Sequence, residues 1–433
     1  MQRYDSYKPS DVEWIGQIPS HWEIRRLRFL CEFRNGYTPS KSVKEYWEDG
    51  TIPWYRMEDI RENGRKLSEA KQYVTEEAVK GMGLFSAGSF ILATTATIGE
   101  HALLIADSQA NQQFTNLKIR ESLIDMFSAE FFFYYLFVID DFCKSTTKTA
   151  TFPAVDMNDL KNVSVPLPPL EEQERIAEYL DRRCAEIDGI INKEEQAIAL
   201  LDELKQTIIS EAVTRGLDPT VPLKPSGVDW IGNIPAHWQV SRVKYLGTTL
   251  NGLTYKPINV TGADTGVLVL RASNIQNGML TFEDNVYVDM QIPPELMVQT
   301  NDIIICSTNG SLSLVGKLAI VSSDLHATFG SFMLLFRNSP NQHFSHYMLN
   351  VVIPKYKALF ATTTINQLTK TTFGNMFCPL PPLEEQERIA EYLNRRCAEI
   401  DEAKERKQQQ IELLREMKQT LISDAVTGRV KVF

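Results

Sequence analysis

Two stretches of the chain place apolar residues at alternating spacings of three and four. In the first, Ile176, Leu180, Cys184, Ile187, Ile191, Ile198, Leu201 and Ile208 form the stripe, interrupted by Glu194 and Lys205. In the second, Ile389, Leu393, Cys397, Ile400, Ile411, Leu414 and Leu421 keep the same register, interrupted by Lys404 and Lys407. Heptad-like spacing over about five heptads predicts a long helix with one apolar seam. Pro169 followed by Glu171, Glu172 and Glu174 suits the first turn of such a helix, because carboxylates favour its positive end. Gly216 with Pro219, and later Gly428, supply stops. A helix of about 40 residues would be roughly 60 Å long. Each seam needs cover, either from its own domain or from the other helix. Two matched seams in one chain, with no third visible, favour mutual packing, and chain order favours the antiparallel sense.

The remaining regions carry a different pattern. VLVLRASNI (267–275), DIIICST (302–308), KLAIVSS (317–323), SFMLLFR (331–337), SFILATTATIG (89–99) and HALLIADS (101–108) are short β-branched or apolar runs between polar turns, and they predict strands. FSAEFFFYYLFVI and FSHYMLNVVIPKYKALF predict helices at equivalent places in the two halves. The apolar core of 127–142 is too short to span a bilayer and reads as a buried helix.

The chain repeats itself. PLPPLEEQERIAEYLDRRCAEID (166–188) returns as PLPPLEEQERIAEYLNRRCAEID (379–401), with one difference, Asp181 against Asn394, in 23 positions. KPSDVEWIGQIPSHW (8–22) returns as KPSGVDWIGNIPAHW (224–238), and KQTIISEAVTRG (205–216) as KQTLISDAVTGR (418–429). A period above 200 residues is a domain duplication and not a solenoid. Each half comprises an opening motif, a variable region, a PLPPL joint and a long helix. The boundaries fall at 1–165, 166–217, 218–378 and 379–433.

Charge refines this picture. The net charge is −10, which argues against a general nucleic-acid coat. Residues 170–217 hold 6 Lys/Arg against 12 Asp/Glu, whereas residues 239–378 hold 9 against 7 and residues 23–160 hold 16 against 20. The acidity therefore concentrates in the helical segment. The six cysteines form no CxxC pair and no Cys/His cluster, which fits a reducing compartment without structural zinc. The N-terminus lacks the apolar core of a signal peptide, so a cytoplasmic location is expected.

The variable regions share landmarks without sharing sequence. IPWYRMEDI (52–60) matches LVLRASNI (268–275), AGSFILATTATIG (87–99) matches TNDIIICSTNGSLSLVG (300–316), NQQFTNLKI (111–119) matches ATFGSFMLLF (327–336), and KSTTKTATF (144–152) matches ATTTINQLTK (361–370). These loops offer Tyr55, Arg56, Thr94, Thr95, Gln112, Gln113, Lys144 and Lys148 in the first half. The second half offers Arg271, Asn274, Ser307, Thr308, Asn309, Lys317, Thr363 and Lys370. Amides pair adenine, cations pair guanine or phosphate, and hydroxyls bond either. The same residue types equally build ordinary turns, and Arg56 and Arg271 equally suit internal pairing.

Catalytic signatures are missing where they would matter. GSLSLVGKL (310–318) has five residues between its glycines and Leu after Lys317, so it is no phosphate-binding loop. There is no HExxH, no GxSxG and no Asp/Asn-Pro-Pro-aromatic tetrapeptide. His21 and His237 recur within IPxHW beside Trp22 and Trp238, which suits packing better than catalysis.

The doubled PLPPLEEQERIAEYL and WIGxIPxHW motifs, spanning nearly the whole chain, make it resemble the specificity subunit of type I restriction–modification systems. The resemblance implies a duplicated α/β (α+β) fold. Two target-recognition domains, separated by two long helices in an antiparallel coiled coil, would be related by a pseudo-twofold. It implies a non-catalytic chain that reads an asymmetric bipartite site in double-stranded DNA, each domain reading one half. It also implies partners: two methyltransferase subunits using S-adenosylmethionine to methylate adenine N6, and restriction subunits using ATP and Mg. No cofactor and no membrane contact is expected of this chain. The rival readings are a coiled-coil scaffold or regulator binding protein, and an enzyme with an unrecognised site, such as a nuclease.

Overall fold

A computed structural model describes residues 2–146, 154–337, 339–361 and 365–433. The long helices span Leu170–Arg215 and Leu383–Val426. Each ends where expected: Gly216 and Gly428 adopt φ of 78° and 74°, a backbone state that glycine enters at no steric cost.

The compact units do not follow the four sequence segments. One comprises Met1–Glu195 with Gln408–Phe433, and the other Gln196–Lys407. Each unit therefore takes the first part of its own long helix and the last part of the other. Inside the first unit, Lys418 Nζ bonds both oxygens of Asp188 at 2.7 Å, and Arg415 Nη2 meets Glu195 at 2.9 Å. Inside the second, Lys205 Nζ bonds Asp401 at 2.6 and 2.7 Å, and Lys404 bonds Asp202. Partner numbers fall as helix numbers rise, so the helices run antiparallel in both units. Asp188 and Asp401 are copies in the repeat, as are Lys205 and Lys418. One self-complementary pair is thus made twice, as a duplicated interface requires. Lys205 and Lys404, which interrupt the seam, make interhelical ion pairs.

Both forms of cover for the seam occur together. In the second unit, Ile389, Leu393 and Cys397 share one core with Phe344, Tyr347 and Met348 of the domain and with Ile209, Ala212 and Val213 of the first long helix. In the first, Ile176, Leu180, Cys184, Ile187 and Ile191 are buried, as are Ile411 and Leu421 of the second long helix, while Ile400 is buried in the second unit. Ile198, Leu201, Ile208 and Leu414 are only half-buried.

Within each unit the opening motif forms a hairpin, Tyr7–Pro9 with Gln17–Pro19 and Leu223–Pro225 with Asn233–Pro235. The PLPPL joint then forms a two-stranded ribbon, Ser164–Leu167 on Glu23–Arg26 and Phe377–Leu380 on Gln239–Arg242. Trp22 and Trp238 are fully buried. His21 Nε2 lies 2.8 Å from Glu172, and His237 Nε2 lies 2.6 Å from Glu385. Trp238 Nε1 donates to the second oxygen of Glu385 at 2.8 Å. Gln173 Nε2 donates to the Pro168 carbonyl at 2.8 Å, and Gln386 Nε2 to the Pro381 carbonyl at 2.9 Å. The repeated residues therefore lock each ribbon to the start of its long helix. Those contacts give both histidines a structural role.

The variable regions are mixed α/β. The first holds a five-stranded sheet and a three-stranded sheet, and the second two four-stranded sheets. Phe90–Ala93 pairs with Phe114–Ile119 as Ile303–Cys306 pairs with Met333–Arg337. Each large sheet is backed by a helix, Ala129–Thr146 or Gln342–Lys355. Among the described residues no helix is long and apolar enough to cross a membrane.

Candidate nucleic-acid interface

Each unit ends one of its sheets, the three-stranded one in the first unit and a four-stranded one in the second, in the same backbone frame. Ile52–Tyr55 lies parallel to Gln109–Ala110, as Val267–Leu270 lies parallel to Ala327–Phe329. Beyond these strands the chain turns at 111–113 and at 330–332, held by five matched hydrogen bonds. Asn111 N–H donates to Tyr55 O at 3.0 Å, as Gly330 N–H does to Leu270 O at 3.0 Å. Tyr37 N–H donates to Ala110 O at 2.8 Å, as Leu253 N–H does to Phe329 O at 2.7 Å. Gly36 N–H reaches Phe114 O at 2.8 Å, and Gly252 N–H reaches Met333 O at 3.2 Å. Phe114 N–H closes on Asn111 O at 3.1 Å, and Met333 N–H on Gly330 O at 2.9 Å. Thr94 N–H bonds Gln113 O at 3.0 Å, and Ser307 N–H bonds Phe332 O at 2.9 Å.

The frame demands two glycines. A Cβ on Gly36 would lie 2.0 Å from Asn111 O, and one on Gly252 would lie 2.0 Å from Gly330 O. What the frame displays differs completely: Asn111, Gln112 and Gln113 in one unit, Gly330, Ser331 and Phe332 in the other. Gln112 is exposed and accepts from the Thr38 hydroxyl. Phe332 is 61% exposed despite its clamped backbone.

Beside the frame sit the arginines. Arg56 N–H donates to Asp59 Oδ2 at 2.7 Å, and Arg271 N–H to Asn274 Oδ1 at 2.9 Å, so both occupy one type of helical-turn start. Arg56 pairs with Glu58, and Arg271 Nη2 pairs with Asp284 at 2.8 Å. In the second unit Arg271, Asn309, Tyr255 and Phe332 border one open depression. Thr95 bridges Ala154 where Thr308–Asn309 pairs with Asn366–Gln367.

Several expected readers prove to be framework. Tyr55 is fully buried in an apolar cluster. Thr94 is buried with its hydroxyl 2.9 Å from that of Thr115. Asn274 is buried, and its Nδ2 donates to Thr281 O at 3.0 Å while Oδ1 holds Arg271. Ser307 and Thr308 are buried at 4% and 6% exposure. The corrections share one cause: these residues sit in or beside paired strands, so the sheet and its packing bury their side chains before they can meet solvent. Arg56, Thr95, Gln113, Arg271, Asn309 and Lys317 are half-buried, and Gln112, Lys144 and Lys370 are exposed. Lys317 and Lys370 lie outside the lining of the Arg271 depression. Lys148 and Thr363 lie outside the described residues.

Sequence reasoning passed over Gly36, Gly252, Ser331, Phe332 and Tyr255. A signal was present: NGYT (35–38) and NGLT (251–254) stand 216 residues apart, the same offset as the opening motif.

Among the described residues, the cysteines and the His101–Asp140 pair are buried. All six cysteines are buried, and burial pushes the Cys184 thiol up to about 11, which removes a thiolate nucleophile at neutral pH. His101 Nδ1 lies 2.7 Å from Asp140 Oδ2, which also accepts from Arg65 at 2.9 Å, but His101 has no exposed surface. Among the described residues no group of His, Cys, Asp and Glu is placed to hold a metal.

Comparison with known proteins agrees with this architecture. The family model described as type I restriction modification DNA specificity domain matches residues 19–200 and 235–413. The EcoprrI type I restriction enzyme specificity subunit of Escherichia coli is 47% identical over 168 residues, covering 38% of this chain and 42% of that protein. The first alignment thus spans less than half of that relative. The MjaVIII specificity subunit of Methanocaldococcus jannaschii is 23% identical over 425 residues, 96% of this chain and 94% of its own. A solved chain, from work on complex assembly and conformational transition of the type I R-M system, superposes with a TM-score of 0.70. It is 19% identical and covers 94% of this chain and 98% of its own, a likeness of fold. With both halves matched by one model, the chain belongs to the type I restriction modification DNA specificity domain family.

Proposed function

We propose that this chain supplies the DNA sequence specificity of a type I restriction–modification enzyme. Each unit reads one half of an asymmetric bipartite site in double-stranded DNA. The observation that carries this reading is the pair of equivalent turns, 111–113 and 330–332, which share five backbone hydrogen bonds and differ in every side chain. Selection for packing would preserve the side chains with the frame. Selection for reading two different sequences preserves the frame and changes what it displays.

The chain itself is a recognition subunit without a reacting centre. Two methyltransferase subunits dock on the repeated helical segments and use S-adenosylmethionine to methylate adenine N6. The base leaves the stack to enter their pocket. Restriction subunits supply the ATP- and Mg-dependent steps, and the assembly works in the cytoplasm. The acidic long helices leave phosphate neutralisation largely to these partners, so the complex is expected to bind DNA more tightly, and with a steeper salt dependence, than the chain alone.

The test is a single-molecule methylome of cells making the chain with its partner methyltransferase, against cells lacking only this chain. Loss of an asymmetric bipartite N6-methyladenine motif in the deletion is the expected result. An unchanged methylome with an active partner would overturn the reading.

A further inference from the structure

We infer that the turn 330–332 is a specificity element of the second unit, and that Phe332 packs against the C5-methyl group of a thymine in its half-site. This rests on the proposed DNA reading and names the chemistry at one position of it.

The backbone of Phe332 is held from two sides. Its carbonyl accepts from Ser307 N–H at 2.9 Å and from Thr308 N–H at 3.1 Å, and the turn closes through Met333 N–H on Gly330 O at 2.9 Å. The close approach of Gly252 removes the room in which this turn would otherwise shift. A turn so fixed sets the direction in which the side chain leaves the backbone, and Phe332 is 61% exposed. Rigid presentation of an apolar group to water suits a surface whose partner is preorganised for. The ring shares one depression with Asn309 and with Arg271, whose Nη2 is taken by Asp284 in the same depression, so Asn309 and the remaining guanidinium N–H groups are the donors left for phosphate or a base edge. In the major groove the apolar feature of a base edge is the thymine methyl. The equivalent turn of the first unit offers Gln112 and Gln113, whose amides match adenine. The two half-sites are therefore distinguished at one backbone position by two kinds of contact.

The experiment uses the assembled complex with its methyltransferase partner. The wild-type methylome defines the motif. Duplexes carrying it are then made with each thymine replaced singly by deoxyuridine, which lacks only the methyl, and affinities are measured by fluorescence anisotropy. At one thymine, deoxyuridine should weaken wild type about fourfold, the worth of one buried methyl-sized group. Phe332→Ala should bind the thymine and deoxyuridine duplexes equally, and Phe332→Leu should retain part of the difference. Wild-type affinity indifferent to every deoxyuridine would overturn the proposal whether or not a variant assembles. So would a thymine effect that persists in Phe332→Ala, or a motif without thymine. A uniform loss in Phe332→Ala, unrelated to any methyl, would make the ring a wedge between base steps and also overturn it. A wild-type complex that marks no motif would instead overturn the function proposed above.

Discussion

Asp181 and Asn394 are the one difference between two copies of a 23-residue segment, and each meets a tyrosine at the equivalent place in its own unit. Tyr134 donates to Asp181 at 2.7 Å and Tyr347 to Asn394 at 2.8 Å. Lys66 also lies 3.4 Å from Asp181, which makes a carboxylate useful in the first unit. A second local divergence is the buried His101–Asp140–Arg65 cluster, where the second unit has Leu318 and Ile353 on the matching strand and helix. Asp140→Ala strands His101 and Arg65, and should cost about 3–5 kcal/mol. The triple change Arg65→Met, His101→Leu and Asp140→Ile leaves no stranded charge and should stay within about 1 kcal/mol of wild type. Chemical denaturation of both variants checks this. His346 gives a pH signature. Burial first, then His343 and Lys205, lower its pKa to about 4. The unfolded chain binds a proton near pH 6.5 that the folded chain refuses until about 4, so this contribution is present above 6.5 and is lost as pH falls through that window. Burial lowers His101 in the same sense. Relative to His346→Gln, wild type should lose about 1–2 kcal/mol between pH 7 and pH 5, measured by denaturant titration.

At the scale of the element, the two turns proposed to read DNA depend on glycine packing. Gly36→Ala and Gly252→Ala each set a methyl against a carbonyl oxygen, so the turn must move. Each variant in the complex should weaken DNA binding by an order of magnitude or more, since about 1–3 kcal/mol per misplaced contact set is at stake. Methylomes should show the motif degraded at a different half-site in each variant. Degradation of both half-sites by either change would mean that the turns are not independent readers. The long helices obey another rule. The pairs Asp188–Lys418 and Lys205–Asp401 are partly exposed and worth about 0.2–1 kcal/mol each, so they set register more than stability. Apolar burial around Leu180 and Leu393 supplies the larger share.

For the whole molecule, duplication explains why repeated and variable regions alternate. The repeated residues make the joint between ribbon and helix and the pairing of the helices. Each unit needs both once. On the function proposed above, the variable residues face what differs between the half-sites. Removing one heptad from each long helix is therefore expected to change the spacer between half-sites and leave both half-site sequences intact. A changed half-site over an unchanged spacer in the methylome would count against it.

The duplication, the helical seams, the strand pattern and the stopping glycines were legible in the residues alone, because each depends on local periodicity or self-similarity. The antiparallel pairing was legible too, from two matched seams and chain order. Which loop residues reach solvent was not. Tyr55, Thr94 and Asn274 have the chemistry of readers, but strand pairing and turn closure claim them, and only the tertiary frame shows that. Phe332 was missed for the opposite reason: inside the predicted strand 331–337 an apolar residue reads as core, whereas the strand begins at Met333 and Phe332 stands exposed in the turn before it. The exchange of helix halves between units was likewise decided in three dimensions, since it follows from where a helix finds its buried partners and not from where its sequence begins.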